Sequence, residues 1–373
     1  MTLATTPTTL RPITRDLLAQ ARTAPLWLAG ADLGNTTALL AIGAQFVQIP
    51  SLIGTGDLSA LLATRGGGGS EGRLYDGEYA LEHDGQIWYV GQLAADQSLD
   101  ATTDRGNPNR QISGHGLRLL LALVPILDPA ITIVRLRLVS GLPVRQYKQR
   151  PDLRKTVPEA LTGVHSYRFW DRRGVRDMQV IVEAVIVGME GAMAAQAFGA
   201  PGQPRGFIDI GGDSFDIGWI NAQGRLVEER TDSLFDAGAE RITASLSAQF
   251  LQRHGRDLTA VERAAILANY QTGEGAIVYE HGPRTIPYEA TAEAVRQVAD
   301  RGNRFLQQKW GKKPGSDGAE IRLLGGAARL WEPAVYAPIV RSSTPEADNA
   351  LAFAAFATRF EAAAKWPILA EVR

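Results

Sequence analysis

Two short acidic glycine turns, about half a chain apart, constrain this sequence more than any other feature. One, Asp209-Ile-Gly-Gly-Asp-Ser-Phe-Asp216, follows an apolar strand (Phe207-Ile208) and leads into a returning strand. The other, Ala31-Asp32-Leu-Gly-Asn-Thr-Thr37, repeats the design near the start. Glycine lets the backbone take positive φ and approach an anion closely. Such a turn points successive N–H groups into one concavity that suits phosphate. Thr36, Thr37 and Ser214 can add hydroxyl donors. The opening aspartates cannot bind phosphate directly, since like charges repel. They can hold a hydrated Mg2+, which keeps most of its waters and takes few carboxylates. Either turn alone also reads as an ordinary Asp/Gly turn. The pair points to a two-lobed protein gripping one phosphate chain from both sides.

The chain has 373 residues, more than one ordinary core needs, so two domains or lobes are expected. A net charge of −1 gives no bulk attraction to nucleic acid or anionic membrane. The absence of cysteine excludes disulfides and thiolate metal sites and fits a cytoplasmic protein. Apolar runs such as Val180 to Met189 are too short to span a bilayer. Residues 1–25 lack an apolar h-region and read as an N-terminal extension, with a short amphipathic helix possible over Ile13–Ala21.

Periodicity predicts strands over Leu26–Asp32, Thr37–Ile42, Gln45–Ile49, Gln86–Gln92, Ile131–Val139 and Met178–Val187. It predicts helices over Ser113–Leu127, Gly188–Phe198, Asp236–Arg253, Leu258–Asn269, Ala292–Trp310 and Pro345–Ala364. Phe207–Arg230 holds two or three strands, and Ala276–Glu280 and Glu320–Leu324 one each. Gly66-Gly-Gly-Gly69-Ser reads as a flexible loop. Gly67 to Gly72 matches G-x-G-x-x-G without the strand and helix a dinucleotide site needs. Strands followed by strand–helix alternation, twice over, predict α/β lobes with mixed sheets.

In this order the residues resemble the actin-type ATPase fold shared by actin, bacterial actin homologues, 70-kDa heat-shock chaperones and sugar kinases. Asp32–Thr37 and Asp209–Asp216 resemble its phosphate hairpins. Val187–Phe198 and Pro345–Phe353 resemble its connecting helices, and Leu323–Ala328 its adenosine loop. Trp88–Ala94, Val139–Val144 with Tyr147, and Leu161–His165 are similar to ParM-type plasmid-segregation actins and archaeal relatives. The resemblance implies two lobes, each a mixed β-sheet flanked by helices, with nucleotide in the cleft between them. Lobe I would span 26–187 with an insertion at about 50–110. Lobe II would span 188–344 with an insertion at about 255–300, and 345–373 would return to lobe I.

The resemblance also implies site roles. Asp32 and Asp209 would hold Mg2+ through water. Glu190, 19 positions before Asp209, would orient the attacking water. Gly34, Asn35, Thr36, Thr37, Gly211, Gly212, Asp213 and Ser214 would surround the phosphates. Gly325, Gly326 and Ala327 would admit adenine, and Asp236, Gly238 and Glu240 would lie toward the ribose. Glu183 is the alternative to Glu190. Two positions depart from the family: Leu39 stands where many relatives carry Lys, and Asp213 where Thr or Gly is usual. Both make the phosphate region less positive.

The implied function is an actin-like ATPase, using ATP (or GTP) with Mg2+, that forms a homopolymer filament. It would act through a DNA-binding adaptor, with no direct nucleic-acid contact. A sugar-kinase-like phosphotransferase and a weakly hydrolysing scaffold are the rivals. Arg145 to Arg176 holds nine basic and three acidic residues. It reads first as a solvated face, then as a filament or acidic-partner contact, and last as a DNA surface. His115 and His165 read as structural or surface residues.

Overall fold

The computed structural model describes residues 23–66, 72–104, 107, 109–279, 283–316 and 318–366. The possible helix at 13–21 and residues 67–71 of the glycine loop lie outside them. Nine strands form the first sheet: β1 (Leu26–Leu33), β2 (Thr37–Ile42), β3 (Gln45–Pro50), β4 (Ile53–Thr55), β5 (Tyr79–His83), β6 (Gln86–Val90), β7 (Ile133–Leu142), β8 (Gly163–Asp171) and β9 (Gly174–Met189). Their order is β3-β2-β1-β7-β9-β8-β5-β6-β4, with β1, β7 and β9 mutually parallel and β1–β2–β3 an antiparallel meander. Helices α1 (Leu58–Arg65), α2 (Gln92–Gln97), α3 (His115–Leu127), α4 (Val144–Gln149) and α5 (Leu153–Leu161) accompany this sheet. The apolar face of α3 is fully buried (Leu119 to Val124), which fills the core between helix and sheet.

After α6 (Ala192–Phe198), a second sheet holds β10 (Arg205–Ile210), β11 (Ser214–Ile220) and β12 (Asp232–Phe235). A hairpin of β13 (Ala276–Tyr279) and β14 (Pro283–Ile286) stands apart, and β15 (Glu320–Leu324) and β16 (Ile339–Val340) complete the sheet. The order β12-β11-β10-β15-β16 repeats the β3-β2-β1-β7-β9 half of the first sheet: a three-strand meander, then two parallel strands. Helices α7 (Ala239–His254), α8 (Ala260–Gln271) and α9 (Tyr288–Trp310) pack around a second core that includes Phe215, Phe250, Phe305 and Trp310. The capping box of Thr259 and Glu262 starts α8. Finally α10 (Asp348–Ala362) returns to pack on β1 and β7.

Several expected boundaries moved by a few residues, such as the helix expected from Ala292, which starts at Tyr288, and two of the shifts have a cause in the sheets. The helix expected from Gly188 starts at Ala192, because β9 stays paired with β7 up to Met189 against Leu142. The helix expected from Asp236 starts at Ala239, because Asp232–Phe235 joins the sheet and Asp236 turns with φ 55. The stretch 145–176 is not one free basic face. Lys148 donates to the Thr231 carbonyl at 2.8 Å, and the Arg145 backbone N–H reaches Ser233 Oγ at 3.1 Å, so α4 ties the first lobe to the second. Arg150, Arg168, Arg172 and Arg176 each pair with a carboxylate of their own lobe.

Candidate functional site

The sheet duplication brings the two acidic turns face to face. Asp32 is the penultimate residue of β1, opposite Leu39, and Asp209 the penultimate residue of β10, opposite Asp216. Between the strands lie the hairpin tips, 34–36 and 211–213. They touch: Asn35 Nδ2 donates to Asp213 Oδ2 at 3.0 Å, and a Cβ on Gly212 would sit 2.1 Å from Thr36 Oγ1. Thr37 begins β2, and Ser214 begins β11 and donates to Asp216 at 3.0 Å.

The remaining segments converge on the same place. Glu190 sits in the tight turn joining β9 to α6, its N–H bonded to Leu142 O at 3.0 Å. Gly141 leaves it room, since a Cβ there would lie 2.7 Å from Glu190 Cγ. Gly325 has φ +93 and passes so close to Asp209 that a Cβ would lie 2.3 Å from Oδ1. Only glycine satisfies both the dihedral and the space. Ala327 N–H bonds the Ile210 carbonyl at 2.9 Å, while Gly326 faces open space. On the other flank, the backbone N–H groups of Ala239 and Glu240 bond the carbonyls of Gly211 and Gly212, and Gly238 packs against the same carbonyls. This docks α7 on the second hairpin. Asp236 points elsewhere, toward Arg241 and Arg301 at 3.4 Å each.

Four carboxyl groups therefore share one cleft, and their acidities shift together. Burial, then the neighbouring Asp209, raises Asp32 to about 7. Burial raises Asp209 to about 6, against a hydrogen bond from Asn349. Burial raises Asp216 to about 7, against a bond from Ser233, with Asp209 adding to the rise. Glu190 is pushed well above the usual carboxylate range by burial and then by Asp32, Asp209 and Asp216. Crowded acids of this kind mark sites that bind cations or move protons. Glu183, by contrast, is engaged by Arg135 and Arg137 on the sheet, an ion-pair role.

Two residues outside the expected set complete the arrangement. Asn349, buried at the start of α10, donates to Asp209 at 2.8 Å, accepts the Gly191 N–H at 2.8 Å and hydrogen-bonds Asp32. One amide thus links both aspartates to the turn carrying Glu190. Arg110, 1% exposed, donates to the carbonyls of Thr103, Leu33 and Gly34 and to Ser51. It supplies positive charge near Asp32 and Glu190. Position 39 cannot do this: Leu39 is buried with Ala350 and Ala354 beneath α10. His115 lies one layer further back, 3.2 Å from the Ser51 carbonyl, and burial lowers it to about 4. His165 likewise bonds a backbone carbonyl, that of Leu161, at 3.0 Å.

Arg110 carries a prediction. Arg110→Gln is expected to cost about 3 kcal/mol in urea denaturation, since it strips a charged donor from buried carbonyls. Arg110→Lys is not expected to restore stability, because a point ammonium cannot reproduce the planar fork.

The family model described as "Actin like proteins N terminal domain" matches residues 30–192, the segment from the first hairpin to the Glu190 turn. Residues 30–192 thus carry an actin-like N-terminal domain, and the chain as a whole has an actin-like fold. Among solved structures, its fold matches the 15-stranded ParM filament from Clostridium botulinum with a TM-score of 0.66 and 18% identity, over 90% of this chain and 100% of that one. It matches Ta0583, an archaeal actin homologue, with a TM-score of 0.65 and 17% identity, over 90% and 99%. It matches the actin-like protein Alp7A with a TM-score of 0.67 and 13% identity, over 90% and 97%. No curated protein matches the sequence. Among the described residues, no helix is long and apolar enough to cross a membrane.

Among those residues, no cluster of three or more His, Asp or Glu side chains forms a direct metal cage. Two aspartates on facing hairpins, whose pKa values burial raises while no cation is bound, instead fit a cation held through water, as Mg2+ prefers.

Proposed function

We propose that this actin-like protein is an ATPase, taking ATP or GTP with Mg2+, that assembles into nucleotide-dependent filaments. The convergence of Asp32, Asp209 and Glu190 on two facing glycine hairpins is the observation that carries this reading. Asp32 and Asp209 hold the Mg2+ water shell, and Mg2+ supplies the charge neutralisation that phosphoryl transfer needs. Backbone groups of 34–37 and 211–214 bind phosphate oxygens. Glu190 accepts a hydrogen bond from the attacking water and aims it. Gly325, Gly326 and Ala327 admit the base, and Gly238 and Glu240 flank the sugar.

Lobe boundaries at 26–187, 188–344 and 345–373 follow from this reading. Closure of the lobes around nucleotide is a hinge motion. Head-to-tail contacts that do not close into a ring extend a filament. We assign the protein to the cytoplasm and to plasmid or DNA segregation through a separate DNA-binding adaptor.

The test is light scattering after Mg-ATP addition, with phosphate release followed in the same sample. A scattering rise that decays as phosphate appears supports the reading. Phosphate release with flat scattering replaces it with a monomeric ATPase or phosphotransferase.

A further inference from the structure

We infer that Asp213 selects against the triphosphate form of the nucleotide. The inference rests on the nucleotide-binding reading above and adds a specificity to it. Hairpin tips built to bind anions should present donors to the ligand. Here the tip of the second hairpin carries a carboxylate instead, and that carboxylate accepts the Asn35 amide N–H across the cleft at 3.0 Å. The bond joins residues 178 positions apart, one from each sheet. It lies where the tips meet, beside the Gly212–Thr36 approach.

A phosphate entering between the tips competes with Asp213 for the same Asn35 donor. It must also lie against a like charge. Repulsion between unit charges about 4 Å apart is worth about 1 kcal/mol in water and about 4 kcal/mol near a protein surface, or about 5-fold to several hundred-fold in affinity. A triphosphate is longer and more negative than a diphosphate, so it bears more of this penalty. Asp213 is thus a tethered anion that favours the diphosphate and the direct contact between the lobes.

The test compares Kd values for Mg-ADP and for the Mg complex of the non-hydrolysable analogue AMPPNP, by titration calorimetry. Wild type, Asp213→Asn and Asp213→Ser are used, with melting curves to confirm that each is folded. Asn keeps an acceptor for Asn35 while removing the charge and adding an amide N–H donor, and Ser removes the charge without that amide. Asp213→Asn is expected to tighten AMPPNP at least tenfold and ADP less than threefold. Asp213→Ser is expected to show the same preference. An unchanged ratio of the two affinities in folded variants overturns the inference while leaving nucleotide binding intact. No binding of either nucleotide to any of the proteins overturns the nucleotide reading and this inference with it.

Discussion

Glu190→Gln is expected to slow phosphate release by about 10²–10⁴-fold, the usual weight of a positioned general base or water-orienting group. It is also expected to raise the melting temperature of the nucleotide-free protein. The two effects share one cause. Glu190 stands among Asp32, Asp209 and Asp216, with Arg110 the opposing cation, and burial and like charge push its pKa well up. A carboxyl whose pKa is higher folded than unfolded binds more protons in the native state. Its ionisation then costs stability as pH rises from the unfolded to the folded value.

The pH window follows from the neighbours, which move from 3.8 to about 7 (Asp32 and Asp216) and from 3.8 to about 6 (Asp209). The nucleotide-free protein should therefore melt higher as pH is lowered from 8 to 6.5. His115 works in the opposite direction. Its pKa is lower folded than unfolded, so its contribution is lost only as pH falls below 6.5 toward about 4. The interval between 6.5 and 8 thus isolates the carboxylates. Thermal melts of wild type and Glu190→Gln across that interval check the idea. A Glu190→Gln protein that melts lower than wild type while hydrolysing normally would remove Glu190 from the site. Added Mg-nucleotide should flatten the wild-type pH dependence, because a bound cation favours the ionised carboxylates.

The second large effect is structural. Gly30→Ala should cost about 3 kcal/mol or more, beyond the usual range for an added buried methylene. The reason is backbone, not side chain: a Cβ at Gly30 would lie 2.1 Å from the Ala350 carbonyl and 2.3 Å from the Ala354 nitrogen. Neither atom can rotate away, so α10 must lift from β1. Asn349 rides on the first turn of α10 and would lose its bonds to Asp209 and Gly191. Nucleotide affinity should fall along with stability. Gly326→Ala is the control. Nothing lies within 4 Å of a Cβ there, so its melting temperature should match wild type while adenine approach is weakened. Equal melting of Gly30→Ala and wild type would show that α10 does not pack as described.

Local chemistry was enough to read the hairpins. Strand, aspartate, glycine and returning strand are contiguous, and the pairings Asp32–Leu39 and Asp209–Asp216 follow from turn length alone. For the same reason the β-strands Thr37–Ile42 and Glu320–Leu324 were legible to the residue, each bounded by turn-forming neighbours. Helix starts were less so. Nothing within Gly188–Phe198 says that β7 will hold Met189 in a strand, or that β11 will draw Asp232–Phe235 into the sheet.

The sequence by itself determined the two hairpins that carry Asp32 and Asp209, through short motifs whose geometry is local, and the order of its motifs pointed to the actin-like fold by resemblance. Only the tertiary structure decided what surrounds them. It placed Asn349 between both aspartates, set Arg110 behind the first hairpin and buried Leu39 under α10. It also turned the basic residues Arg145 and Lys148 into a tie between the lobes. Each of these contacts spans tens to hundreds of residues. The order of residues along the chain carries no distance information on that scale; packing of the two cores and the return of α10 supply it.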